Sequence, residues 1–219
     1  MKALLLLALA AAAPDSCRAA DTPHAQWEHE IAAFEAADKT NPPPAGAILF
    51  IGSSSIRLWK NLAEDFKGFP VINRGFGGSQ MADSVFYADR IVLPYRPRQI
   101  VVYAGDNDLA AGKTAGAVLS DFQAFATTVH RALPETRICY LSIKPSPARW
   151  KLVEQMRKTN RLIAEYARAN QGLTFIDVFT LMLGEDGQPR PELFAADKLH
   201  LNETGYRLWS STLRPYLLR

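Results

Sequence analysis

Ala47-Ile48-Leu49-Phe50-Ile51-Gly52-Ser53-Ser54-Ser55 is the stretch on which the fold turns. Its apolar run is too short for a buried helix and lacks the alternation of a half-solvated strand, so it reads as a strand covered on both faces. Asn41-Pro42-Pro43-Pro44 breaks the chain just before it, and the glycine and serines end it. Working outward, similar runs recur at Val71-Ile72-Asn73, Gln99-Ile100-Val101-Val102-Tyr103, Arg137-Ile138-Cys139-Tyr140-Leu141 and Leu173-Thr174-Phe175-Ile176, each separated from the next by a helix-length segment. The segment 115–132 carries Val118, Phe122, Phe125 and Val129 at helical spacing, and 152–169 carries a similar stripe. A helix is also expected over 26–37 and a last one over 203–213. Strands apolar on both faces, joined through helices by right-handed crossovers, give an α/β chain: a five-stranded parallel sheet inside a three-layer α/β/α sandwich.

With 219 residues, 48% of them hydrophobic, the chain can bury one sizeable core and is expected to form a single domain over 20–219. The first residues are set apart: Met1-Lys2, then an apolar run from Ala3 to Ala13, then small and polar residues, which is the pattern of an export signal over 1–19. The run is too short to span a membrane, so no integral span is expected in the processed chain, which would be periplasmic or secreted. Anchoring through a lipid on Cys17 is a minor alternative, disfavoured by Pro14-Asp15-Ser16 before it. Losing Lys2, Asp15 and Arg18 moves the net charge from +3 to +2, with no basic block or aromatic-interleaved basic helix, so nucleic acid is not an expected partner. Only Cys139 remains, which leaves no intrachain disulfide and no CxxC or His/Cys metal spacing. It reads as a buried strand residue.

In an open parallel sheet the chemistry gathers beyond the carboxyl ends of the strands. There the sequence puts Gly52-Ser53-Ser54-Ser55-Ile56 after the first strand, Arg74-Gly75-Phe76-Gly77-Gly78-Ser79 after the second and Gly105-Asp106-Asn107-Asp108 after the third. Asp197-Lys198-Leu199-His200 precedes the final helix. Together these supply a hydroxyl, an imidazole, a carboxylate to orient it, and backbone and amide donors for an oxyanion, which are the parts of acyl transfer. Each block alone is ordinary turn or cap composition, with Asn202 well placed to cap the last helix. Their conjunction, in one order and mostly just after strands, is what points to chemistry.

These blocks resemble the SGNH/GDSL hydrolases, with a closer similarity to bacterial platelet-activating-factor-acetylhydrolase-like esterases through Ile72-Asn73-Arg74-Gly75-Phe76-Gly77-Gly78. The resemblance runs from about residue 46 to the C-terminus and implies a flavodoxin-like SGNH domain. It implies Ser54 as nucleophile with Asp197 and His200 completing the triad, and the N–H groups of Ser54 and Gly78 with the Asn107 side-chain amide as oxyanion hole. Ser53 and Ser79 stand where the family usually has Asp. Three consecutive serines leave Ser53 and Ser55 as fallback nucleophiles.

The expected function is a serine carboxylic ester hydrolase working through an acyl-enzyme on short acyl, acetyl-like esters, with a small-molecule, glycan or lipid ester as substrate and neither metal nor organic cofactor. The alternative is a degenerate SGNH domain that binds an acylated glycan or lipid without turnover. A nucleotide-binding module is disfavoured because Gly75-Phe76-Gly77-Gly78 follows the second strand and lacks the full dinucleotide fingerprint. A nucleophile elbow of the α/β-hydrolase type is disfavoured because Ile56 stands where its second glycine would be. Arg74, Asp83, Lys144 and Trp150 are placed near the site's rim without an assigned role, and His24 and His130 in helical surroundings with surface or structural roles. Nothing in the sequence specifies an oligomeric state.

Overall fold

The computed structural model describes residues 23–219. The expected export signal over 1–19, Cys17 included, lies outside the described residues. In chain order the elements are α1 (Glu28–Thr40), β1 (Ile48–Gly52), α2 (Ser54–Arg57), α3 (Leu62–Asp65), β2 (Val71–Gly75), α4 (Met81–Phe86), α5 (Ala88–Ile91), β3 (Gln99–Tyr103), α6 (Asp106–Ala110), α7 (Ala115–Ala132), β4 (Arg137–Leu141), α8 (Val153–Ala169), β5 (Leu173–Ile176) and α9 (Glu203–Leu213). The sheet has five strands in the order β2-β1-β3-β4-β5, all paired in parallel.

The period-2 geometry of a strand divides each apolar run between two cores. Leu49 and Ile51, Ile100 and Val102, and Ile138 and Tyr140 face a layer that includes Ile31, Met81, Phe122, Phe125, Val129 and Ile163. Ile48 and Phe50, Val101 and Tyr103, and Cys139 and Leu141 face the other, with Trp59, Phe66, Tyr206, Trp209 and Leu213. That is the three-layer sandwich, and it explains why the strands read as unbroken apolar runs. Cys139 is a buried free thiol whose sulfur accepts a hydrogen bond from Gln99 Nε2.

The boundaries depart from the sequence reading in a few places. The first strand, expected over 47–51, runs to Gly52, and the second, expected over 71–73, runs to Gly75, because these two glycines pair with one another at the carboxyl edge of the sheet. Gly52 has φ +134°, and a Cβ there would sit 1.8 Å from the Tyr103 carbonyl oxygen. Only a glycine lets β1 pass so close to the end of β3 while turning out of the sheet. Asp106–Ala110, taken from sequence as a loop, is a short helix entered through Gly105 at φ +105°. The first helix starts at Glu28, two residues later than expected, after a 3-10 turn over Ala25–Trp27.

Candidate active site

β1 delivers Ser54 to the carboxyl edge of the sheet as the first residue of α2, where its backbone N–H has no helical acceptor. Ser53 and Ser55, the fallback nucleophiles, are 2% and 1% exposed. Ser53 N–H is tied to the Tyr103 carbonyl, and the Ser55 carbonyl accepts from the buried Tyr206 hydroxyl, which fastens α2 to α9. Ser54 is half-buried, and its Oγ lies 2.9 Å from His200 Nε2.

His200 and Asp197 come from one turn rather than a helix. Lys198 takes φ +58°, which folds the segment tightly enough for the Asp197 carboxylate to accept from the N–H groups of Leu199 and His200, both at 2.9 Å. The base of the turn is closed by a bridge between Phe194 and Leu201 and by the Ala195 N–H on the His200 carbonyl. His200 Nδ1 lies 2.6 Å from Asp197 Oδ2. Its hydrogen bond from the imidazole, followed by the two backbone N–H groups, holds the Asp197 carboxyl down to about 2. Asn202 caps α9 by accepting from Gly205 N–H, so the cap anticipated for this segment and the His200 contact coexist.

The loop between β2 and α4 is held on both sides of Gly78. Ser79, buried, donates its hydroxyl to the Phe76 carbonyl, and the Met81 N–H donates to the Asp108 carboxylate. Gly78 is exposed, has φ +77°, and has nothing within 4 Å of the place a Cβ would occupy. Asn107 Nδ2 donates to the Ser79 carbonyl at 2.9 Å, which leaves the amide's second N–H free to face an occupant of the site. The residues read from sequence as one constellation thus fall into two groups, each held by its own hydrogen bonds: Ser54 with His200 and Asp197, and Asn107 with the Gly78–Ser79 loop.

The rim residues without an assigned role are mostly buried supports. Arg74 pairs with Asp38, donates to Tyr95 and lies between the Phe34 and Tyr95 rings. Asp83 is the N3 residue of a capping box with Gln80 and also meets His24. His24 therefore has a partner, in a turn rather than a helix, and His130 meets the Thr136 carbonyl. Trp150 lines a surface groove with Pro147, Gln188, Pro189, Pro191 and Lys198, beside the Asp197–His200 turn.

Lys144, 1% exposed, ion-pairs at 2.8 Å with Asp106, which Arg149 also meets at 2.7 Å. Burial alone would push the Asp106 carboxyl up, but Lys144 and Arg149 together outweigh it and leave it below the ordinary range. Arg149 Nη2 also donates to Asn107 Oδ1. Sequence reasoning missed this cluster. The one available signal was a lysine inside Ile143-Lys144-Pro145, at the end of a buried strand, where an unpaired charge would not be tolerated. Among the described residues no group of three or more His, Cys, Asp or Glu side chains is gathered closely enough to hold a metal ion, and no helix is long and apolar enough to cross a membrane.

A parallel α/β/α sandwich with a hydroxyl, an imidazole and a carboxylate in line at the carboxyl edge of its sheet carries the parts that acyl transfer needs. The chain belongs to the GDSL-like lipase/acylhydrolase family, whose model matches residues 51–208, and it is a carboxylic ester hydrolase. Among solved structures it is similar to one described as a platelet activating factor from Streptococcus pneumonia, at 26% identity and TM-score 0.78, covering 88% of this chain and 94% of that one. A GDSL-like lipase from Bacteroides thetaiotaomicron VPI-5482 shares the fold at 20% identity and TM-score 0.70, covering 89% of this chain and 96% of the other. So does the acetyl xylan esterase AlAXEase, at 20% identity and TM-score 0.65, covering 78% and 99%. No curated protein matches the chain significantly.

Proposed function

We propose that the protein hydrolyses short acyl, acetyl-like esters through an acyl-enzyme on Ser54, with His200 as base and Asp197 as its orienting acid. The observation that carries this is the unbroken line from Ser54 Oγ through His200 Nε2 and Nδ1 to Asp197 Oδ2, at 2.9 and 2.6 Å. In the first half-reaction Ser54 Oγ bonds to the ester carbonyl carbon as its proton passes to His200 Nε2. The oxyanion is met by the N–H groups of Ser54 and Gly78 and by Asn107 Nδ2. The carbon–oxygen bond to the alcohol then breaks as His200 returns the proton to the leaving oxygen. In the second half-reaction water gives a proton to His200 Nε2 as its oxygen bonds to the acyl carbon, and His200 then returns that proton to Ser54 Oγ as the acyl carbon–Oγ bond breaks, releasing the acid.

A small acyl group suits the depth of the site. His200 and Asp197 have 27% and 49% of their side-chain surface exposed, and Gly78 is open to solvent. A long alkyl chain gains affinity by burying its methylenes, each worth about 0.8 kcal/mol, and a site this near the surface offers little of that. We also propose that residues 20–219 form a single hydrolase domain, exported to the periplasm or beyond after loss of 1–19, on the strength of the Met1-Lys2 start and the apolar run that follows.

Hydrolysis of p-nitrophenyl acetate, butyrate and octanoate by wild type and Ser54→Ala tests the reading. Turnover that falls with chain length and is absent in the folded Ser54→Ala protein is the expected result. A fully active Ser54→Ala protein sinks the nucleophile assignment, and octanoate as the best substrate sinks the short-acyl reading.

A further inference from the structure

The peptide joining Gly77 to Gly78 has a property shared by few others. A flip of that plane changes ψ of the first residue and φ of the second, and when both are glycine neither change meets a Cβ. The plane is trans, so the Gly77 carbonyl and the Gly78 N–H point in opposite directions. Whatever holds one aims the other. In the wrong orientation the carbonyl oxygen, not the N–H, would face the developing oxyanion.

Trp27 holds it. Its indole Nε1–H donates to the Gly77 carbonyl at 2.7 Å, from a side chain only 7% exposed and packed edge-on against Phe76 at 6.0 Å. One turn further along, Glu30 accepts the Gly77 N–H through Oε2 at 3.2 Å. On the other side of Gly77 the Arg57 guanidinium lies so close that a Cβ there would sit 2.8 Å from it. Gly77 is thus fixed through its carbonyl, its N–H and its Cα, and Gly78, at φ +77°, is left exposed. Trp27 and Glu30 both precede residue 51, where the match to the family model begins.

We infer that Trp27, seconded by Glu30, is a positioning residue for ester hydrolysis: it pins the Gly77–Gly78 peptide with the carbonyl turned toward α1, so that the Gly78 N–H is presented to the oxyanion. The inference rests on Gly78 acting as an oxyanion donor, as proposed above. The N-terminal segment before the sheet is then part of the catalytic support and not only a cover for the core.

The test is Trp27→Phe, which keeps the ring against Phe76 and removes the N–H. Its kcat on p-nitrophenyl acetate falls about 10-fold, a part of the ~100- to 1,000-fold that losing a whole oxyanion donor costs, with KM within about 2-fold of wild type. Inhibition by a short-chain alkyl trifluoromethyl ketone, whose adduct with Ser54 carries the oxyanion, weakens by the same factor as kcat. A merely structural role would lower the melting temperature and leave both constants alone, and that result overturns the inference. Glu30→Ala, at a half-buried position where folding is less at risk, gives a smaller loss, and Glu30→Gln, which keeps an acceptor, restores it. Equal losses in both Glu30 variants overturn the hydrogen-bond account. Asn107→Ala separates the two readings: if it is impaired while Trp27→Phe is not, the oxyanion hole stands and the Trp27 clamp falls. If Asn107→Ala and Ser54→Ala are both fully active, the proposed site falls and the clamp with it.

Discussion

Arg149 donates to Asn107 Oδ1 at 3.0 Å while its Nη1 lies 2.7 Å from the Asp106 carboxylate, so one guanidinium joins the side-chain amide of the site to a buried charge. The contact fixes which way the amide faces: with Oδ1 taken by Arg149, Nδ2 points toward the Ser79 carbonyl, which leaves its second N–H for the oxyanion of the proposed mechanism. It also draws electron density from the amide and makes Nδ2 a stronger donor. Arg149→Met is expected to lower kcat on p-nitrophenyl acetate by about 10-fold with KM little changed, the signature of an interaction made in the transition state. Arg149→Lys, which keeps the charge on Asp106 but not the fork, falls between. Wild-type kcat in Arg149→Met would refute the link.

Beneath that link, Lys144 and Asp106 have 1% and 4% of their side-chain surface exposed. Removing one partner leaves a carboxylate buried against a single guanidinium, and breaking such a pair costs roughly 3 kcal/mol or more. Lys144→Met should therefore lose about that much stability at neutral pH, read by urea denaturation. The pH dependence has a definite sign. Asp106 is held below its unfolded value, so its pairing contributes stability that is fully present above the ordinary carboxylate range and is lost as pH falls below that range through the lowered folded value. The gap between wild type and Lys144→Met should narrow on acidification. A gap that widens would be inconsistent with the pair as described.

Asp197 gives a direct readout of the His200 contact. Its carboxyl is lowered from 3.8 to about 2, first by the imidazole hydrogen bond and then by the Leu199 and His200 N–H groups. In His200→Ala the two backbone donors persist while the imidazole is gone. The Asp197 carboxyl-carbon NMR titration should then move up from about 2 without returning to 3.8. The stability linked to Asp197 is present above 3.8 and lost as pH falls through about 2. An unmoved midpoint in His200→Ala would show that the backbone, not the imidazole, sets the charge.

Much of this was legible because the signals were local. Val101 and Val102 read as buried on both faces and are, one in each core layer. Ser54, Gly78, Asn107 and Asp197-x-x-His200 stood out as small or polar groups at strand ends or before a helix, where a parallel sheet exposes its site. What escaped lies in contacts made across the chain. Lys144 is 38 residues from Asp106, and Trp27 and Glu30 are 50 and 47 residues from Gly77. Periodicity reports which face of an element is apolar, not which distant polar group it meets. Asp106 therefore looked like any turn aspartate, and Lys144 and Arg74 like rim charges without an assigned role.

Gly52 and Gly78 both have positive φ, yet substitution should separate them. At Gly78, φ is +77° and nothing lies within 4 Å of a Cβ, so Gly78→Ala carries only the left-handed backbone cost of about 1 kcal/mol and should fold. At Gly52, φ is +134° and a Cβ would meet the Tyr103 carbonyl oxygen at 1.8 Å and its carbon at 2.6 Å. Neither atom belongs to a flexible side chain. Relief would require β1 and β3 to part at the edge that carries Ser54, with loss of the Ser53 N–H to Tyr103 carbonyl bond. Gly52→Ala is expected to lose more than about 4 kcal/mol, the range reached only by severe strain or broken cores. Circular dichroism melts of the two variants beside wild type check this. Equal, small destabilisation in both would mean that the turn after β1 tolerates a side chain, and that Gly52 is not what sets the close approach of β1 to β3 beneath Ser54.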